Sequence, residues 1–102
     1  MKPLYLLCFL LCWGTNTSYA QEKDFVLGKI LAIQSEQLQE ERTLNIYFPY
    51  NYQIDSIQKF PVIYLLDGSV DEDFIHIAGL VQFNNFPWIN RLPPSIIVGI
   101  AN

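Results

Sequence analysis

The sequence is short of basic residues and of cysteine, and each shortage excludes a class of function. Only six Lys and Arg stand against ten Asp and Glu in 102 residues, so the formal net charge is -4. No stretch clusters the positive charge that phosphate groups require, and we therefore expect no nucleic-acid partner. The two cysteines, Cys8 and Cys12, lie close to the amino terminus. Once that segment is removed, the chain has no thiol for a disulfide, a zinc site or a nucleophile.

The first twenty residues have the pattern of a secretory signal peptide. Lys2 provides a short positive region, and residues 4–13 are an apolar stretch too short to span a bilayer. Ser18 and Ala20 place small side chains at the two positions that a signal peptidase reads. We therefore predict a signal peptide over residues 1–20 and a mature domain over residues 21–102, secreted or periplasmic and without a stable membrane span. An uncleaved anchor is the alternative.

Four stretches of the mature chain have the patterns of β-strands. The predicted strands are residues 25–33, 42–48, 60–66 and 95–100. Residues 60–66 and 95–100 are almost entirely apolar, which is typical of strands buried on both faces of a parallel sheet. Residues 42–48 alternate instead, with Asn45 and Tyr47 on the more polar side, which predicts a half-buried strand. The polar residues 34–41 are predicted to be turn-like.

A helix is predicted at about residues 72–84, between the last two strands. Its apolar residues recur at helical spacing, and several more widen the stripe: Phe74, Ile77, Ala78 and Val81, with Ile75, Leu80 and Phe83. Residues 71–73 are acidic, and we expect them in the first turn, where they suit the helix dipole. The strand, helix and strand in succession predict a parallel pair with a right-handed crossover.

One helix covers only one face of such a sheet. Folded alone, the chain is therefore expected to leave apolar side chains of residues 60–66 and 95–100 in water, beside an open edge strand. This mismatch indicates the first part of a larger α/β domain, and a small protein that associates with its own copies is the alternative.

Asp67 and Gly68 form the bend between the third strand and the helix. Open α/β sheets bind ligands at such strand-to-helix turns. Asp-Gly is also a hairpin signal, but the residues that follow have a helical and not an alternating period. The acids after the bend do not form a calcium loop, because the required glycine position holds Glu72 and the closing acidic position holds Ala78. We therefore expect no metal.

Four short segments stand out together: YFP at 47–49, FPV at 60–62, YLLDG at 64–68 and IVGI at 97–100. In combination they resemble the first part of secreted α/β-hydrolase esterases of the esterase-D and enterochelin-esterase type, to which the mycolyltransferases are related. The resemblance covers about Ser35 to Asn102. One departure is Asn51, where the family usually has glycine. The implied fold is the N-terminal part of an α/β-hydrolase, truncated before the nucleophile elbow.

The resemblance also implies roles at the bend. Ser69 would donate its backbone N–H to an oxyanion hole, which stabilises the negative charge that develops during acyl transfer. Gly68 would allow the sharp bend and the close approach of substrate, and Asp67 would fix the turn through its carboxylate. The implied substrate is a small-molecule ester, with no cofactor. His76, the only histidine, is interpreted as a helix-surface residue and not as a catalytic base.

The sequence has no Gly-x-Ser-x-Gly motif, and no acidic residue or histidine follows Ile100. The nucleophile, acid and base of a serine hydrolase would therefore lie beyond Asn102. We expect a secreted serine esterase at the level of the family, with this chain inactive alone. A small secreted binding module without enzymatic activity is the alternative.

Overall fold

The computed structural model describes residues 17–102, in which one helix packs on one face of a four-stranded sheet. The elements are β1 (Lys29–Ser35), β2 (Glu40–Tyr47), β3 (Val62–Leu66), α1 (Phe74–Asn85) and β4 (Ile96–Ile100). Most of the predicted signal peptide, including both cysteines, lies outside the described residues. Within residues 17–102, no helix has the length and apolarity needed to cross a membrane.

The sheet is mixed, with strand order β1-β2-β4-β3. β1 and β2 form an antiparallel hairpin, β4 lies antiparallel to β2, and β3 lies parallel to β4. The predicted α/β class and the parallel pair joined by a helix are therefore confirmed. A hairpin at the Asp67-Gly68 bend is excluded, because the strand after the helix runs in the same direction as the strand before it.

The first hairpin differs from the expected boundaries. β1 begins at Lys29, four residues later than predicted, and it continues to Ser35. β2 begins at Glu40, so only residues 36–39 form the turn within the polar stretch that was expected to be turn-like. The physical reason is that backbone pairing runs on from Lys29 opposite Ile46 to Ser35 opposite Glu40, whatever the polarity of the side chains.

The hydrophobic core lies between α1 and the sheet. Its buried members are Tyr47, Phe74, Ala78, Val81 and Ile97, and the residues packed around them are Leu27, Ile63, Leu65 and Ile77. The inner stripe of the helix is therefore as predicted. Ile75, Leu80 and Phe83, which were expected to widen it, are each about half exposed at 56, 48 and 52 %. His76 is also exposed on this helix, as expected.

The acidic residues before the helix do not occupy its first turn. α1 begins at Phe74, no acidic residue lies in its first turn, and the N-cap Asp73 makes no side-chain capping hydrogen bond. The prediction that residues 71–73 benefit from the helix dipole inside the first turn is therefore wrong. These residues form turns that connect the bend to the helix.

Among the described residues, the sheet face opposite α1 is least covered along β3. On β3 the side chains alternate, so Val62, Tyr64 and Leu66 point away from the helix and are 42, 70 and 73 % exposed. The expectation that one helix leaves apolar strand residues in water is confirmed for β3. The side chains of β4, which lies between β2 and β3, are buried or half-buried instead. Burial of β3 on both faces is not seen. β2 buries the side that carries Asn45 and Tyr47, because that side faces the helix.

Candidate active-site turn

The bend after β3 is tied to the neighbouring strands by its backbone. Asp67 has a left-handed conformation, with φ of 52°. The Gly68 N–H donates to the Ile100 carbonyl oxygen at 2.9 Å, which joins the bend to the carboxyl end of β4. The Gly68 carbonyl oxygen accepts a hydrogen bond from Asn45 Nδ2 at 2.6 Å. The bend is therefore held from both β2 and β4.

Glycine is required at position 68 for a steric reason. A Cβ on Gly68 would lie 2.5 Å from Gly99 Cα, and a Cβ on Gly99 would lie 2.6 Å from the Gly68 carbonyl oxygen. Both separations are too short for any side chain, so the two backbones approach closely because neither residue has one. Gly68 is therefore needed for this close approach and not for a left-handed backbone, because no described glycine has positive φ.

Asp67 supports the bend through its backbone. Its side chain is exposed, and among residues 17–102 its carboxylate accepts no hydrogen bond. Support of the turn through that carboxylate, as the resemblance implied, is therefore not seen. A left-handed conformation is uncommon outside glycine, and aspartate is one of the residues that tolerate it best.

Ser69 follows the bend and is half-buried. Its carbonyl oxygen accepts hydrogen bonds from the Glu72 N–H at 3.1 Å and the Phe74 N–H at 3.3 Å, which leads the chain into α1. Within the part of the chain that the structure describes, the Ser69 N–H donates to no backbone or side-chain acceptor. The donor role predicted for this amide stays a prediction, and the geometry leaves the amide available for it.

Asn45 was not singled out from the sequence, although it contacts the bend directly. It is 2 % exposed, lies on β2 opposite Gly99 of β4, and donates to the Gly68 carbonyl oxygen. The signal that was available is its position on the same side of β2 as Tyr47. The alternating pattern of a strand does not by itself show which side of the strand faces the helix and the bend.

A cleft of about 290 Å³ adjoins the bend. It is lined mainly by apolar side chains, including Leu27, Val70 and Phe74, with Asn45 and Lys29 as its polar members. A lining of this kind suits a hydrocarbon group better than a charged one. Trp88 is not part of it; this side chain stacks on Phe86, with ring centroids 4.6 Å apart.

A second buried polar group lies farther along the core. Burial raises the pKa of the Tyr47 hydroxyl above its ordinary value. Asn85 is itself 3 % exposed, and its side-chain nitrogen and oxygen reach no hydrogen-bond partner among the described residues. This pair is separate from the bend, where the contact is with Asn45.

The Esterase family model, described as "Putative esterase", matches residues 35–102, two thirds of the sequence. The chain belongs to this esterase family. The resemblance seen in the YFP, FPV, YLLDG and IVGI segments is thereby confirmed, and the matched residues include the whole bend. Among curated protein sequences, none is significantly similar to this esterase-family chain.

Solved structures show the same relationship. An IroE-like serine hydrolase from Shewanella oneidensis is 37 % identical, with a TM-score of 0.66 over 74 % of this chain and 23 % of that protein. The BES protein from Bacillus cereus is 25 % identical, with a TM-score of 0.60 over 82 % of this chain and 30 % of that protein. A ferulic acid esterase, 19 % identical with a TM-score of 0.56 over 74 % of this chain and 31 % of that protein, shares the fold. The esterase-family chain therefore spans between 23 and 31 % of these proteins.

Proposed function

We propose that this chain provides the oxyanion-hole side of a secreted serine esterase and does not hydrolyse esters by itself. The observation that carries the proposal is the Ser69 N–H, an amide that donates no hydrogen bond within residues 17–102. It follows directly on the bend at the carboxyl end of β3, beside the carboxyl end of β4. Membership of the esterase family supports the reaction class, and the substrate we propose is a small carboxylic ester.

The chemistry follows from the charge that develops during ester cleavage. Attack on the ester carbonyl places negative charge on its oxygen, and an amide already aimed at that oxygen stabilises the charge without having to reorganise. One such donor typically contributes about 3–4 kcal/mol to the transition state. The donor cannot replace a nucleophile, and the 102 residues contain no Gly-x-Ser-x-Gly segment to provide one.

A hybrid protein gives the donor a catalytic readout. In this hybrid hydrolase, residues 29–102 of the present chain replace the corresponding segment of the IroE-like serine hydrolase. The rest of that protein, which is 37 % identical to this chain over the aligned part, is kept. Ser69→Pro removes the N–H, and the preceding Gly68 is the residue least restricted by a following proline. Ser69→Ala keeps the N–H and removes only the hydroxyl group.

We expect Ser69→Pro to lower kcat for a chromogenic short-chain ester by about 10²- to 10³-fold. Ser69→Ala should keep most of the activity, because a backbone donor does not depend on the side chain. Equal activity of the two variants in a folded hybrid would show that this amide is not an oxyanion donor. Circular dichroism of both variants checks that each one is folded.

The inactivity of the chain alone is tested separately. The purified 102-residue chain is expected to release chromogenic alcohol no faster than buffer. Turnover that persists through purification, survives inhibitors of contaminating hydrolases and is lost in Ser69→Pro would overturn this part of the proposal.

A further inference from the structure

Three peptide units form the bend, and hydrogen bonds hold each of them differently. The Asp67–Gly68 unit is held through the Gly68 N–H, which donates to the Ile100 carbonyl oxygen at 2.9 Å. The Ser69–Val70 unit is held through the Ser69 carbonyl oxygen, which accepts two backbone hydrogen bonds at 3.1 and 3.3 Å. The Gly68–Ser69 unit between them has one hydrogen bond among residues 17–102, from Asn45 Nδ2 to the Gly68 carbonyl oxygen at 2.6 Å.

That central unit contains the proposed oxyanion donor. The Gly68 carbonyl and the Ser69 N–H belong to one planar trans peptide group, in which they point in opposite directions. A donor that fixes the carbonyl oxygen therefore also fixes the direction of the N–H. A hydrogen bond accepted by the carbonyl further polarises the amide, which strengthens the N–H as a donor.

Packing alone does not explain why position 45 is an asparagine. Asn45 is 2 % exposed, and its Oδ1 is buried without a hydrogen-bond partner in the described part of the chain. Its partner is a carbonyl oxygen, so the amide nitrogen must face Gly68 and the oxygen must face away. A buried acceptor without a partner destabilises a fold, and an apolar residue of similar size would avoid that penalty. The contribution specific to asparagine is the donated hydrogen bond.

A ligand contact does not explain this side chain either. Asn45 borders the apolar cleft, but its oxygen has almost no accessible surface and cannot accept a hydrogen bond from a molecule there. Its one polar contact within residues 17–102 is the bend.

We propose that Asn45 is a positioning residue that orients and polarises the Gly68–Ser69 peptide group, so that the Ser69 N–H is aimed before substrate binds. This inference rests on the proposed function of Ser69 for its catalytic consequence. The orientation itself is a property of the chain and is measured without any ester.

The first measurement is NMR of the isotope-labelled 102-residue chain. Asn45→Leu removes the donor with little change in size, and Asn85→Leu is the matched control, since Asn85 is equally buried and has no hydrogen-bond partner in the described residues. In Asn45→Leu we expect the Gly68 carbonyl-carbon and Ser69 amide-nitrogen signals to shift upfield, because the carbonyl loses its hydrogen bond. In Asn85→Leu these two signals should stay in place. Unchanged signals in Asn45→Leu would overturn the inference.

The second measurement is the kinetics of the hybrid hydrolase, which decides the matter if the chain alone gives no resolved spectrum. Asn45→Leu should lower kcat by about ten- to a hundredfold with little change in KM, because a misdirected donor affects the transition state more than the bound ester. Asn85→Leu should preserve kcat. Equal kcat values for the two folded variants would refute the positioning role.

The two measurements separate this inference from the proposed function. If Asn45→Leu shifts the two signals but Ser69→Pro leaves hydrolysis unchanged, the orientation holds and the oxyanion role of Ser69 fails. If Ser69→Pro abolishes hydrolysis while Asn45→Leu changes neither the signals nor kcat, the oxyanion role holds and the positioning role fails.

Discussion

Replacing Gly99 with alanine places a methyl group where two elements already meet. The new Cβ would lie 2.6 Å from the Gly68 carbonyl oxygen and 2.6 Å from Phe74 Cδ2, whereas ordinary contacts of a Cβ begin at 3.4 Å. The bend or the buried ring must therefore move by several tenths of an ångström. Overpacking of this kind costs about 1–3 kcal/mol. Alanine also reduces the conformational entropy of the unfolded chain, which stabilises the folded protein by about 0.4–1 kcal/mol. The destabilisation by the clash is the larger effect.

The matched control is alanine at the helix glycine. A Cβ on Gly79 meets nothing within 4 Å, and glycine inside a helix is less favourable than alanine by about 0.5–1 kcal/mol. Gly79→Ala should therefore stabilise the hybrid hydrolase, while Gly99→Ala destabilises it and also lowers kcat by moving the bend.

Urea unfolding of the two variants, followed by circular dichroism, gives the free energies of unfolding, and ester hydrolysis gives kcat. If Gly99→Ala proves as stable and as active as Gly79→Ala, the close approach of the two glycine backbones does not constrain the bend, and the steric argument fails.

Three further predictions concern the core, its titration and the amino terminus. Ile97→Ala, at a fully buried position, should lower the free energy of unfolding of the hybrid by about 2–5 kcal/mol in urea titrations. Burial raises the pKa of Tyr47, so its contribution to stability is complete below the unfolded pKa near 10 and is lost as pH rises through the folded pKa. The free energy of unfolding should therefore fall less at alkaline pH in Tyr47→Phe than in the unsubstituted protein. If residues 1–20 are a signal peptide, N-terminal sequencing of exported protein should begin at Gln21, and Met1 at the terminus of exported protein would contradict this.

The element types were predictable because they depend on local periodicity. The apolar run that ends at Asp67 predicts a strand followed by a turn, and the spacing from Phe74 to Val81 predicts a helix. Both occur, as β3 and α1. Boundaries were less predictable where backbone pairing continued through polar residues, as at Ser35 and Glu40. The helix start was also misplaced, since acids are favourable in a first turn without being required there.

The residues of the candidate site also differ in how far the sequence predicted them. From the sequence alone, the resemblance carried by the YLLDG segment implied a role for Ser69, the residue that follows it. The role of Asn45 was not predictable, because it depends on a contact across 23 positions of sequence. The left-handed conformation of Asp67 was not predicted either, because it depends on how the neighbouring strands hold the bend.

By itself, the sequence determined the class of fold, the place of the bend and the resemblance to an esterase family, since these depend on local patterns and short motifs. Only the tertiary structure decided which face of β2 is buried, which strands support the bend, and why glycine is needed at both Gly68 and Gly99. The physical reason is that those features arise from groups distant in the chain, whose separation is set by strand order and packing and leaves no local signal in the sequence.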